Sequence, residues 1–278
     1  MIHVLQIVIL YCISIGIMQA QSIYSTSSLH KIGASSLGRT DANLFVDDVW
    51  SSVNAIANIS TLKNTTVGVS HRLPHHALAL STFGFSSILP TRKFHLSASF
   101  QKFGDADFNE QSIVLGVGKK IGIVRLGGSL NFYQVGGETI RRLNAMTFNF
   151  GINTILSEYI ILSFHGHNIL NESYAVDELQ IPISSVYRFG IAYKMDQSIH
   201  LSTQIEKEMD QLLTSRSTIS YQLTDLFKIY SGITFPSVRI GAGSQLNYKH
   251  WIFDYAFQVH QVLGWTHAFS LSYVISKS

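Results

Sequence analysis

The sequence predicts an all-β fold, a closed antiparallel transmembrane β-barrel of about fourteen strands with a small N-terminal plug segment that contains a short helix. Three observations point there. Charged residues make up only 13% of the 278, about half of the roughly 25% usual in globular chains. Aromatic residues reach 12% and Gly is plentiful, whereas Pro is scarce at 4. From Thr65 onward, polar and apolar residues alternate with a period of two, so that each segment has an oily and a wet side. Apolar runs long enough for a membrane helix, about 18 residues or more, are missing beyond the N-terminus.

The first twenty residues read as a secretory signal. An apolar core runs from Val4 to about Met18, Gly16 loosens its end, and Ala20 precedes a polar start at Gln21. The n-region is weak, holding His3 but no Lys or Arg. The single cysteine, Cys12, falls inside this stretch behind Tyr11, where a lipoprotein signal wants a small residue. A mature chain would then lack thiols, and with them disulfides and cysteine metal sites.

Residues 21–64 are expected to form the plug. Ser, Thr, Asn and Ala dominate there, and Val46, Val49, Trp50, Val53 and Ile56 fall at helix-like spacing. Residues 65–278 are expected to form the barrel. Phe94, Leu96, Ala98 and Phe100 alternate with His95, Ser97, Ser99 and Gln101, and Trp251 to Val259 alternate in the same way with Ile252 to His260. The wet side is rich in Ser, Gly, Asn, Gln and Thr. An open surface would carry Lys and Glu instead, so small and amide side chains suit a crowded lumen. Fourteen candidate strands follow, about 65–73, 77–89, 93–103, 108–119, 122–135, 142–156, 159–168, 183–195, 198–208, 212–224, 226–235, 237–248, 250–262 and 266–276. An even number lets both ends close antiparallel. Alternate turns are short, as at Ser157-Glu158, Thr224-Asp225 and Lys249, and the opposite ones are mostly longer, up to Ile169–Pro182. Short periplasmic turns opposite longer outer loops are a habit of transmembrane barrels.

Several residues carry candidate roles. Arg72, Arg125, Arg188, Lys194, Glu206, Arg239 and Asp254 share the expected inner face as a polar network. Buried charges must pair or stay hydrated, and Asp41, Asp47 and Asp48 of the plug are the expected partners. Asp47, Asp48, Trp50 and Asn54 are the plug's own key positions. The loop holding Tyr174, Val176 and Leu179 is more apolar than a solvated loop requires and is a candidate surface for a protein partner.

Enzyme, metal and nucleic-acid readings find little. His165-Gly166-His167 puts two imidazoles on one strand face, half a metal site at best. No Gly-x-Ser-x-Gly elbow appears. The Gly116-Val117-Gly118 and Gly241-Ala242-Gly243 stretches have no following helix to cradle phosphate, so close packing at the wall is their expected use. With a net charge of +3 and no basic stripe interleaved with aromatics, nucleic acid is not an expected partner. No cofactor is expected.

The sequence resembles the FadL-like outer-membrane family, and within it the Bacteroidetes branch containing PorV and PorQ of the type IX secretion system. The resemblance is carried by Ser36-Leu37-Gly38 with Ala42, by Asp47-Asp48-Val49-Trp50-Ser51 and by Asn54. Segments His95 to Gly104, Gly127 to Val135 and His260 to Gly264 are also similar to this branch. Ala55-Ile56-Ala57-Asn58-Ile59 departs from the family's Asn-Pro-Ala-Gly-Leu turn, lacking Pro and Gly. The resemblance implies a fourteen-stranded barrel, partly filled by the N-terminal segment, in the bacterial outer membrane. It implies a non-enzymatic role in type IX secretion or surface assembly, with secretion-system or surface proteins and the lipid bilayer as partners. Passive transport of hydrophobic small molecules is the alternative.

Overall fold

A computed structural model describes residues 31–275 except 139, 140, 177, 178, 197, 210 and 262. The expected signal segment lies outside the described residues. Described strands are β1 Thr65–Pro74, β2 Thr82–Pro90, β3 His95–Gly104, β4 Asn109–Ile121 and β5 Val124–Gly136. Next come β6 Leu143–Ile155, β7 Ile160–His167, β8 Ser173–Val176, β9 Leu179–Pro182, β10 Val186–Lys194 and β11 Ile199–Glu208. The chain closes with β12 Thr214–Gln222, β13 Phe227–Phe235, β14 Arg239–Tyr248, β15 Trp251–His260 and β16 Gly264–Ile275.

Fourteen of these strands form a closed antiparallel barrel in which each pairs with its chain neighbour, save that β7 pairs with β10. Closure is made by β1 against β16, from Thr65 opposite Ile275 to Pro74 opposite Thr266. A closed ladder leaves no strand margin with unpaired N–H and C=O groups, the condition for β structure in hydrocarbon. The remaining two strands, β8 and β9, form a separate hairpin where the sequence suggested only a long loop.

The two faces separate as the alternation requires. Outward positions such as Phe85, Ile113, Leu115, Leu130, Ile191, Ile219 and Phe253 are exposed and apolar. Inward positions such as Ser99, Ser129, Asn131, Thr147, Asn149, Ser163, Gln204 and Thr218 are polar and buried. Tyr193, Tyr221, Tyr248 and Trp251 are exposed near one rim, and Phe83, Phe235 and Trp265 near the other. Such aromatic belts suit the two boundaries between lipid and water. At the first rim, turns 91–94, 122–123, 156–159, 195–198, 223–226 and 249–250 are short, whereas the opposite rim carries the long connection 168–185. We call these the inner and outer rims.

Residues 31–64 sit inside the barrel. They form α1 (Ala34–Gly38), α2 (Ser51–Asn54) and a 3₁₀ turn at Ile56–Thr61. The helix-like spacing over 42–61 thus resolves into short turns joined by irregular chain. The cause is visible in the bonding: side chains, rather than a continuous helix, satisfy much of this backbone. Ala34 N–H donates to Ser270 Oγ (2.8 Å) and Leu44 N–H to Gln204 Oε1 (3.2 Å), both acceptors on the wall. Within the plug, Asn54 exchanges bonds with both backbone groups of Ile32, at 3.2 and 2.8 Å, and Asn58 Nδ2 donates to the carbonyls of Leu44 and Val46 at 3.0 Å each. A buried peptide group left unpaired costs far more than the net gain of a typical bond, so these amides fix an otherwise irregular path.

Candidate functional site

The wall is shaped to receive the plug. An inward Cβ at residue 127 would lie 2.5 Å from the Ile56 carbonyl oxygen, and one at 232 would lie 2.6 Å from the Arg39 backbone. Glycine is therefore the residue that permits backbone-to-backbone approach at both points. Gly116, Gly118 and Gly241 also face the plug, the first pair beneath Ile56 and Ile59 and the third against the Leu37 and Gly38 backbone, whereas Gly243 packs against Tyr230 and Ala256 of the wall. Hydroxyls complete the fit: Ser52, Ser86 and Ser99 lie 2.6–2.9 Å from one another, and Ser86 Oγ donates to the Val49 carbonyl at 2.8 Å. A small apolar cluster of Ile32, Val49, Trp50, Ile56, Ile59 and Ile88 anchors the plug against the wall.

Charge is concentrated on one carboxylate. Glu206 lies 2.7 Å from Arg188, 2.8 Å from Arg216 and 2.8 Å from Lys31. Arg188 also donates to the Asn54 carbonyl (3.0 Å), so one guanidinium holds both wall and plug. Arg72 approaches Asp41 at 3.5 Å and donates to the Lys31 carbonyl at 3.2 Å. Arg125 lies 3.9 Å from the half-exposed Asp47.

The other candidate residues take different places. Asp254 is buried away from this hub, where Tyr230 Oη and Gln245 Nε2 donate to it at 3.4 Å each. Lys194 lines a cavity near the inner rim and Arg239 lines one near the outer rim. Asp48 accepts from Ser35 Oγ (2.5 Å) and from the Trp50 N–H (3.0 Å), which fixes the start of α2. Tyr174 of β8 is buried against Tyr133 and Ile183, beside Val135, Leu143 and Ala145 on the tall inner face of β5 and β6. This corrects its reading as part of an outward partner surface: the hairpin bends inward because that apolar rim needs cover. Val176 and Leu179 oppose one another across the hairpin ladder, and their side chains lie outside the described residues.

Lys31, Arg39, Arg216 and Lys228 were missed by the sequence reading. Arg216 shares its inward parity with Thr218 and Ser220 and was therefore legible in the alternation. Arg39 stacks 3.9 Å from the Tyr230 ring centroid and donates to the Ser35 carbonyl at 3.0 Å. It lies, like Lys31, in a segment without a period.

Among the described residues, two polar cavities lie in the lumen. The outer vestibule, of about 350 Å³, is bordered by Lys31, Asp41, Arg72, Arg188, Glu206, Arg216 and Arg239. An inner cavity of about 150 Å³ is bordered by Arg39, Asp47, Asp48, Arg125, Lys194 and Lys228. Plug residues contribute to the walls of both. His165 and His167 are buried on the inner face of β7, and no group of three metal-ligating side chains occurs among the described residues.

Structural comparison finds the same architecture elsewhere. A FadL homologue of Pseudomonas aeruginosa superposes with a TM-score of 0.63 at 10% identity, covering 88% of this chain and 98% of that one. The fold is that of the FadL-like outer-membrane barrels. The Pseudomonas putida toluene transporter TodX matches with a TM-score of 0.59 at 8% identity, covering 84% of this chain and 95% of that one. A deltaS2 mutant of the TodX monoaromatic hydrocarbon channel reaches 0.63 at 8% identity, covering 82% and 95%. No protein-family model matches the sequence, and no curated protein matches it. At such low identity the likeness establishes the fold alone.

Proposed function

We propose that this chain is a passive outer-membrane transporter in which residues 31–64 act as the gate. The observation that carries this reading is the pair of polar cavities, about 350 and 150 Å³, lying toward opposite rims with the plug between them. A barrel with only a structural task gains nothing from keeping polar space on both sides of a plug. Hydrophobic small molecules are the first substrate class to test, since TodX, with the same architecture, is described as a toluene transporter. An apolar groove of about 750 Å³ on the outer wall, walled by Ile219, Tyr221, Ile229, Ala242 and Phe257, gives such molecules a place to partition.

The test is flux into proteoliposomes holding the full chain, with toluene and a hydrophilic solute of similar size compared. Toluene accumulation faster than in empty liposomes, and faster again for Gly232→Leu, is the expected result. Equal flux in all three preparations refutes the gate. A second reading, a PorV/PorQ-like component of type IX secretion or surface assembly, draws support from how fully the plug occupies the lumen. Purification in mild detergent from the native membrane tests it, with stoichiometric secretion or surface proteins expected and a lone barrel counting against it.

A further inference from the structure

We infer that the outer vestibule is a binding site for an oxyanion, a carboxylate or phosphate group entering from the outer rim. The inference goes beyond the transport reading and holds whether or not the plug opens. Its first support is charge balance. Four guanidinium cations, on Arg72, Arg188, Arg216 and Arg239, and the titratable amine of Lys31 border the vestibule against three carboxylates, on Asp41, Glu206 and Glu208. Three of those cations crowd a single carboxylate, that of Glu206, so its charge is already oversubscribed. Confined positive charge of this kind needs a counter-charge or full hydration.

The second support is hydrogen-bonding capacity. Arg216 Nε, Arg239 Nε and Gln258 Nε2 are buried donors in the vestibule wall with no hydrogen-bond partner among the described residues. Buried donors without partners are rare in folded proteins and call for an occupant. Guanidinium groups present donors in a planar fork that matches carboxylate and phosphate geometry. The vestibule's roughly 350 Å³ accommodates such a group with its water. Metal cations are disfavoured by the same charge excess.

The oxyanion could arrive on a free solute or on a lipid headgroup, and two arms separate these sources. In the first arm, the full chain in phosphatidylcholine nanodiscs is titrated calorimetrically at low salt with inorganic phosphate and with succinate. In the second arm, the nanodiscs contain phosphatidic acid and the phosphate titration is repeated. Saturable binding in the first arm that survives phosphatidic acid assigns the site to soluble anions. Binding abolished by phosphatidic acid assigns it to headgroups, and both results support the site. Arg239→Gln and Gln258→Leu are each expected to weaken phosphate by about tenfold or more, the worth of one bond to a charged group. Lys102→Gln, on the outward face of β3, is expected to leave it unchanged. A heat-dependent shift in gel mobility checks that each variant is a folded barrel. Absence of saturable binding in both arms, or equal affinity in Arg239→Gln and wild type, overturns the inference. Because no flux is measured, failure of transport leaves it standing.

Discussion

Replacing Glu206 by Gln removes the carboxylate shared by Lys31 of the plug and by Arg188 and Arg216 of the wall, at 2.7–2.8 Å. Its side chain is only 9% exposed, and the Arg188 and Arg216 side chains 4% and 6%. Removing one partner of a buried ion pair costs about 3–5 kcal/mol, because the other charge stays buried and unpaired. Here the residual cations border a polar cavity of about 350 Å³ with room for water and can recover some hydration, so the expectation is the lower part of that range, about 3 kcal/mol. The loss should fall on plug docking, since fourteen closed ladders hold the barrel independently. The assay is urea titration in detergent, with Trp50 emission reporting the plug in a Trp251→Phe, Trp265→Phe background and a gel-mobility shift reporting the barrel. The same titration of Lys31→Met and of the double variant completes a thermodynamic cycle. The expected result is a lowered midpoint for the plug transition, an unchanged barrel transition and clear coupling between residues 31 and 206. A plug transition changed by less than about 0.5 kcal/mol, the scale of an exposed pair, refutes the hub.

Three further outcomes follow from the same geometry. Gly127→Val places branched carbons where only 2.5 Å separates an added Cβ from the Ile56 carbonyl oxygen. The plug should unseat while the barrel persists, seen as raised protease cleavage at Lys31 or Arg39 with an unchanged heat-modifiable gel band; unaltered cleavage counts against the packing. Tyr174→Ala removes the buried ring that covers the outer rim and should cost about 3 kcal/mol or more of local stability, read as faster amide exchange in β8 and β9 with β1–β3 unaffected. Leu130→Arg places a charge on the lipid face and should lower barrel stability by about 2–4 kcal/mol near mid-membrane. Unfolding from liposomes measures it, and a neutral result means that this face does not meet lipid.

The barrel was legible because lipid outside and water inside impose opposite demands on adjacent residues. Phe100 and Gln101, or Leu130 and Asn131, report their face by chemistry alone, and the strand limits agree within about three residues with those read from the alternation, except that residues 78–80, expected in the second strand, form a 3₁₀ turn ahead of β2. The plug was less legible. Val46, Val49, Trp50, Val53 and Ile56 carry a helix-like spacing, yet the wall supplies bonds from Ser270 and Gln204 that make a long helix unnecessary. Glycines at 116 and 241 were read as places of close packing, but what they pack against came only from the fold. The Glu206 hub draws on β10, β11, β12 and the plug, and no spacing rule joins positions so far apart in sequence. An apolar loop has two explanations, a partner or a need to cover the chain's own rim. Tyr174 follows the second.

A closed cylinder faces lipid outside and holds a chain segment folded within it, and the three tryptophans test both halves together. Trp50 is 1% exposed inside the lumen, whereas Trp251 and Trp265 are 42% and 50% exposed on the outer wall near opposite rims. Single-tryptophan versions are reconstituted into phosphatidylcholine carrying brominated acyl chains, and emission is compared with unbrominated lipid. Strong quenching of Trp251 and Trp265 and none of Trp50 is the expected result. Quenching of Trp50 equal to that of the other two contradicts it.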